Sequence, residues 1–291
     1  MKASLVSVIV PCFNYGEQLE CSVTSALSQS YPLLEVIIID DGSTDSTPEV
    51  ASQLALKDSR VRVHHQSNQG VAAARNCGMK LAKGEWILFL DADDELFPEY
   101  LSKTVSVIVE QGCDFVYCDF EVTGETTRMG RMIEFDPQKI KIRNFVSICT
   151  LFRRNSIAQH HFDSSLEMNE DYDFVLGLVA SGCVGFHLPE VLFRYRKHPD
   201  SRSTRACQDL KEYRTKKCII RKHAAFFDPT ETRLSLRYSR ERTLHTLYQQ
   251  IRIKRRNWDL WTRVLLAVWF SRSASDIWHL AKVLMGKPIN L

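Results

Sequence analysis

Residues 86–90, Trp-Ile-Leu-Phe-Leu, form an unbroken apolar run that stops at Asp91-Ala92-Asp93-Asp94. A short run with no polar alternation reads as a strand buried on both faces, the kind found in parallel sheets covered by helices. A strand ending in Asp-x-Asp sets hard oxygen donors in the crevice where open α/β sheets bind ligands. Carboxylates this close repel one another unless a divalent cation lies among them, and Mg²⁺ or Mn²⁺ suits such oxygens. Mg²⁺ is usually held by one or two carboxylates together with phosphate oxygens, so the pattern points to a phosphorylated ligand. The alternative is an acidic turn capping a helix expected over 98–111.

The preceding chain favours the first reading. A strand is expected over 7–10, followed by the turn cluster Pro11-Cys12-Phe13-Asn14-Tyr15-Gly16 and a helix to about residue 30. A second buried strand, 35–39, ends at Asp40-Asp41-Gly42-Ser43-Thr44-Asp45, where Ser43 or Asp45 can cap a helix over 47–57. An edge-like strand is expected at 61–64, and a helix over 71–83 that Gly84 stops. Buried strands alternating with helices imply a doubly wound, mostly parallel α/β sheet whose polar strand ends converge in one cleft.

Four segments then fall into register: Val8-Ile9-Val10-Pro11-x-Phe13-Asn14, Ile39 to Asp45, Asn68-Gln69-Gly70-x5-Arg75-Asn76-x-Gly78, and Phe89-Leu90-Asp91-x-Asp93-Asp94. In order and spacing this set resembles glycosyltransferase family 2, inverting enzymes of the GT-A fold that use nucleotide-sugars. The resemblance is specific over the first hundred residues, looser to about 204, and absent from the last third. The first strand is not followed by Gly-x-Gly-x-x-Gly and no P-loop motif occurs, which argues against a dehydrogenase or a P-loop NTPase.

The resemblance implies roles for individual residues. Pro11 and Phe13 lie against a uracil ring, although for Phe13 taken by itself ordinary core is the favoured reading. Asp41 accepts the imide N–H of the base, and Arg75 belongs to the nucleotide side of the cleft, its alternative being an ion pair with Asp40 or Asp41. Asp91 holds the ribose or assists the metal, Asp93 ligates a diphosphate-bound Mn²⁺ or Mg²⁺, and Asp94 is a further candidate ligand. In Leu166-Glu167-Met168-Asn169-Glu170-Asp171-Tyr172-Asp173, ahead of a helix expected over 174–180, the catalytic base falls on Asp171, with Glu170 the fallback and an acceptor contact. A hydroxyl is a poor nucleophile until its proton is leaving, which is why a base is required. The segment 192–201, with Arg196 and His198, resembles a cation-rich loop closing over the diphosphate, His198 being a candidate for the metal or for phosphate.

Charge is distributed unevenly. Residues 1–204 hold 19 Lys and Arg against 28 Asp and Glu, net −9, whereas residues 205–291 hold 19 against 7, net +12. Four of the five tryptophans, Trp258, Trp261, Trp269 and Trp278, lie in the second stretch, which reads as helical. Its apolar run after Arg263 is seven residues, against the roughly twenty needed to span a bilayer. Cationic helices with Trp, Leu and Phe lie in a membrane interface; a helical cap and a homodimer interface are the alternatives. Nucleic-acid binding is not expected, because no recognition motif accompanies the charge. Nine scattered cysteines without Cys-x-x-Cys spacing, and no leader ahead of the first strand, fit a cytoplasmic protein with reduced thiols.

The expectation is therefore a GT-A type sheet with a helical C-terminal extension: a nucleotide-sugar half at 1–110, an acceptor half at 111–204 and a basic region at 205–291. It would move a sugar, from a UDP-sugar donor, to a glycan or lipid-linked glycan in surface polysaccharide synthesis at the inner face of the plasma membrane. A catalytically idle nucleotide-binding scaffold and a sugar nucleotidyltransferase are the competing readings; the intact Asp91, Asp93 and Asp171 oppose the first, and a missing Gly-rich signature the second.

Overall fold

The computed structural model describes residues 4–124, 127–197 and 211–253. His198 and the tryptophan-rich stretch after 253 lie outside them. Among the described residues, 4–197 with 223–226 form one compact unit, and 211–222 with 227–253 form another.

The first unit is built on one sheet. Strands β1 (Val6–Cys12) and β2 (Leu34–Asp40) are buried along their whole length, the burial their apolar runs call for. With β3 (Val61–His65) and β4 (Trp86–Phe89) they pair in parallel in the order β3-β2-β1-β4. The crossovers carry helices α1 (Gly16–Leu27), α2 (Thr47–Lys57) and α3 (Val71–Leu81). The chain winds outward from β1 to β3 and returns on the other side of β1, so the order reverses between β1 and β4. The carboxyl ends of those two strands flank the crevice in which open α/β sheets bind ligands.

Beyond β4 the sheet is mixed. Strand β5 (Glu95–Leu96) and helix α4 (Tyr100–Gln111) lead to β6 (Phe115–Thr123), which pairs with the short β7 (Arg128–Gly130). Helix α5 (Pro137–Ile142) precedes β8 (Leu151–Arg153), α6 (Arg154–Ile157), α7 (Glu170–Ala180) and β9 (Gly185–Arg196). Strand β8 is antiparallel to both β4 and β6, β6 is parallel to β9, and β9 closes on β5 antiparallel. The parallel character expected from the first hundred residues is thus confined to β3-β2-β1-β4 and the β6–β9 pair.

Two differences from the expected boundaries bear on the site. Helix α7 begins at Glu170, not 174, so the acidic pair lies inside its first turn, where carboxylates meet the positive end of the helix. Arg194, Tyr195 and Arg196, expected in a loop, belong to β9, because they pair in register with Glu121, Val122 and Thr123 of β6.

The second unit contains α8 (Lys211–Lys222) and α9 (Pro229–Ile253). Asp228 and Glu231 close the start of α9 as a capping box: Asp228 Oδ1 accepts from the Thr230 and Glu231 amides, and Glu231 accepts from the Asp228 amide. Among the described residues, no helix is long and apolar enough to cross a membrane.

Candidate active site

Strand β1 parts from β4 after the Ile9–Phe89 pair. The Ile9 carbonyl accepts from Leu90, on the β4 side, and the Cys12 carbonyl accepts from Asp41, on the β2 side. Alternation therefore points the nitrogen of Pro11 toward the gap, where a missing N–H costs no ladder bond. Phe13 follows and is 42% exposed, so it is not core. Asn14 adopts a left-handed backbone, φ 59°. Its amide donates to Ser43 Oγ, and its side-chain oxygen accepts from the Thr44 amide. The two strand-end loops are thereby locked together.

Asp41 is buried and fully engaged with the loop before α3. Its Oδ1 accepts from Gln66 Nε2 and the Gln69 amide, and its Oδ2 from the Gly70 amide at 2.7 Å. Asp40 accepts from the Ser43 amide and bonds His65 Nδ1. These bonds hold the Asp40 carboxyl below its ordinary range although burial opposes them.

The Arg75-Asn76-x-Gly78 signature receives a separate explanation at each position. Gly78 lies so close to Ile9 that a Cβ would sit 2.3 Å from its side chain, which lets α3 settle on β1. Asn76 clasps the Phe162 backbone, donating to its carbonyl and accepting from its amide, both at 2.8 Å. Arg75, 3% exposed, pairs not with Asp40 or Asp41 but with Asp91 at 2.8 Å and Glu170 at 3.0 Å. Its guanidinium also lies over the Phe162 ring, 5.4 Å from the centroid. Burial alone would weaken the charge, but the Asp91 and Glu170 carboxylates raise the Arg75 pKa.

The acidic turn follows β4 directly. The Asp94 amide donates to the Asp91 carbonyl, and the buried Asp94 carboxylate accepts from the Arg196 amide at 3.0 Å. The Arg196 guanidinium is spent on Glu95, which also holds Arg194. Burial, and then the neighbouring Asp91 and Asp93 carboxylates, push the Asp94 carboxyl well above its usual range. Such crowding fits a divalent cation, which would relieve the repulsion. Among the described residues, no three His, Cys, Asp or Glu side chains form a metal cluster. Asp93 and Asp94 would be the carboxylates available to such a cation, in the one- or two-carboxylate pattern that ligand phosphates complete.

Across the cleft, Asp171 is half-buried. Its Oδ1 accepts from the Tyr172 amide, and Asn144 Nδ2 donates to its Oδ2 at 3.3 Å. Burial, with Glu170 adding to it against the pull of Arg75, raises the Asp171 carboxyl from 3.8 to about 6. A carboxylate of that pKa is matched to proton transfer near neutral pH.

A sheet whose order reverses between β1 and β4, with an acidic turn at the β4 exit and a carboxylate of raised pKa on α7, is an α/β fold of the GT-A class. The profile described as Glycosyl transferase family 2 matches residues 7–162, and the chain belongs to that family. It is 38% identical over 125 residues to an uncharacterized glycosyltransferase, YibD, of Escherichia coli K12, covering 42% of this chain and 36% of YibD. It is 29% identical over 211 residues to UDP-Glc:alpha-D-GlcNAc-diphosphoundecaprenol beta-1,3-glucosyltransferase WfaP of E. coli, covering 71% of this chain and 82% of WfaP. The chain thus spans little more than a third of one relative and most of the other. Among solved structures, S. aureus TarS 1–349 in complex with UDP-GlcNAc superposes with a TM-score of 0.67 at 19% identity, over 91% of this chain and 80% of that one. Mannosyltransferase PcManGT from Pyrobaculum calidifontis, in complex with GDP-Man and Mn²⁺, gives 0.61 at 16% identity, over 98% and 85%. These likenesses establish the GT-A fold.

Three site contacts were not legible in the sequence: Asn144 on Asp171, Glu170 on Arg75, and His223 on Asp173. Each joins residues far apart in the chain. The only local hint was the charge of Arg75 on a helix face of Ala and Val, which demands a partner without naming it.

Proposed function

We propose that the protein is an inverting glycosyltransferase. It would move a sugar from a nucleotide-sugar, a UDP-sugar in the first instance, to a hydroxyl of a glycan or lipid-linked glycan in cell-surface polysaccharide synthesis. The observation that carries this reading is the Arg75 bridge, which joins the acidic turn at 91–94 to the helix turn bearing Glu170 and Asp171. WfaP, named for a UDP-glucose donor and a lipid diphosphate acceptor, and the UDP-GlcNAc complex of TarS support the choice of donor and acceptor class.

In this reading residues 1–110 bind the donor and 111–204 the acceptor. Phe13 and Pro11 line the base, Asp41 accepts its imide N–H, Arg75 holds Asp91 on the nucleotide side of the cleft, and Asp91 faces the ribose. Asp93, with Asp94 beside it, would hold Mn²⁺ or Mg²⁺; His198 is a further candidate. When bound, the cation neutralises charge on the departing nucleoside diphosphate. Asp171 takes the proton from the acceptor hydroxyl as its oxygen attacks the anomeric carbon. A single displacement from the face opposite the leaving group inverts the configuration. Glu170, neutralised by Arg75, borders the acceptor, and Arg196 braces the turn. The basic region at 205–291 docks on an anionic membrane at the cytoplasmic face.

Thermal stabilisation by UDP, GDP, CMP and TDP, each with Mn²⁺ and with EDTA, tests the donor class. Mn²⁺-dependent stabilisation by UDP is expected. Stabilisation by none of the four overturns the reading, and stabilisation by GDP alone replaces the donor.

A further inference from the structure

Helix α7 carries Asp171 in its first turn, and that turn closes when the Asp173 amide donates to the Asn169 carbonyl at 2.9 Å. Asn169 itself is held in a left-handed conformation, φ 58°. The same residue, Asp173, presents a carboxylate that is 2% exposed, and His223 Nε2 lies 2.9 Å from its Oδ1. Residue 223 opens a four-residue segment that belongs to the catalytic unit, whereas the described chain on either side of it belongs to the other. The Phe226 amide folds back onto the His223 carbonyl at 2.8 Å, making this segment a single tight turn.

That turn meets both walls behind Asp171. On α7, the His223 imidazole packs over Gly177, where an added Cβ would lie 3.4 Å from its Cε1. His160 flanks the same glycine, so Asp173 and His160 are titratable groups that face His223 among the described residues. On α5, Lys141 Nζ stands 4.3 Å above the Phe226 ring. Tyr172 then donates its hydroxyl to the backbone carbonyls of Ile140 and Lys141. Asn144, just past α5, donates to Asp171.

We propose that His223 is a positioning residue for Asp171: by holding Asp173 it fixes the first turn of α7 and the direction of the carboxylate on it. The proposal rests on the reading of Asp171 as the base. It goes further in making the catalytic unit depend on a turn that the sequence places within the C-terminal region. The C-terminal region is then more than an attachment, because four of its residues complete the acceptor side of the site.

Full-length His223→Ala and His223→Gln test it, with UDP release from UDP-GlcNAc and UDP-glucose as the turnover measurement. A glutamine amide reaches about as far as imidazole Nε2, so it can restore the bond to Asp173. Small displacements of a reacting group cost up to about 100-fold. His223→Ala should therefore lower kcat by about 10- to 100-fold with UDP affinity within a factor of two, and His223→Gln should recover most of the loss. Amide exchange across 170–174, which needs no turnover, should rise in the alanine variant and return in the glutamine one. Unchanged exchange, equal kcat in wild type and His223→Ala, or a parallel loss of UDP affinity overturns the proposal. Asp171→Asn separates the two ideas. Full activity in that variant removes the base reading itself, whereas a crippled Asp171→Asn beside a fully active His223→Ala removes only the positioning role.

Discussion

The guanidinium of Arg75 and the carboxylate of Glu170, 95 positions apart in the chain, meet at 3.0 Å in the interior. The other terminal nitrogen of Arg75 holds Asp91 at 2.8 Å. One side chain thus bridges two carboxylates, the half-buried Asp91 at β4's exit and the buried Glu170 in α7's first turn. Asn76 adds a neutral clasp one residue later, and the Phe162 ring it positions stacks on Phe174 of α7 at 4.1 Å. The seam between the two halves of the sheet is therefore ionic, amide and aromatic within three side chains.

Removing that charge should be costly. Arg75→Met keeps the length and apolar stem but leaves Glu170 and Asp91 without it, and breaking a buried pair in this way costs about 3–5 kcal/mol. Urea denaturation should show the loss in the midpoint with little change of slope. Glu170→Gln keeps one bond to Arg75 and should cost clearly less. Equal, small effects in both would mean that the bridge contributes little to the fold.

The signature residues show how much was legible. Apolar runs at 8–10, 36–39 and 86–89 became strands because nothing polar interrupts them, and the Pro11 and Asp91 exits pointed to the strand ends. Chain-local chemistry also identified the 47–57 helix. What the sequence could not display were pairings across 27 to 95 positions: Asn144 with Asp171, His223 with Asp173, Arg75 with Glu170. Arg75 was expected beside Asp40 or Asp41 as the alternative to a ligand contact, yet His65 and Ser43 occupy Asp40, and Gln66, Gln69 and Gly70 occupy Asp41. Periodicity reports which face is buried, not which charge lies opposite. The later start given to α7 has a similar origin, since its first turn is acidic and carries no apolar period.

Asp93→Asn isolates the cation. The amide keeps size and polarity but loses the charge that a hard divalent ion requires. UDP binding measured by calorimetry in Mn²⁺ should weaken to the level seen for wild type in EDTA, with the melting temperature of the unliganded protein unchanged. Wild-type turnover in Asp93→Asn, or full activity in excess EDTA, would remove the metal from this site.

Asp171 should leave two opposite signatures in pH. Only its carboxylate form accepts a proton, so kcat should rise with pH through about 6 and level off above. Stability runs the other way. Burial raises this carboxyl above its ordinary 3.8, so the folded protein binds the proton more tightly. Its contribution is therefore greatest below 3.8 and is lost as pH rises through about 6. Asp171→Asn should flatten both profiles and lower transfer by about 10²–10⁴-fold while UDP affinity survives. If Glu170→Gln is the crippling change and Asp171→Asn is mild, the base is Glu170.

The basic C-terminal region supplies a last prediction. It holds 19 Lys and Arg against 7 acidic residues over 205–291, and four of the five tryptophans. Each basic residue near an anionic surface contributes about 1 kcal/mol, screened by salt, whereas inserted Trp and Leu side chains add an apolar term that salt leaves intact. A truncation before Arg252 retains the 223–226 turn and removes all four of those tryptophans. In flotation with phosphatidylserine vesicles the truncated protein should stay behind, while its UDP release from UDP-GlcNAc matches wild type. High salt should detach the full chain only in part, since the apolar term survives. Aggregation or lost UDP binding on truncation would instead make residues 252–291 a structural cap, and neutral vesicles that capture the full chain equally well would remove the electrostatic half of the argument.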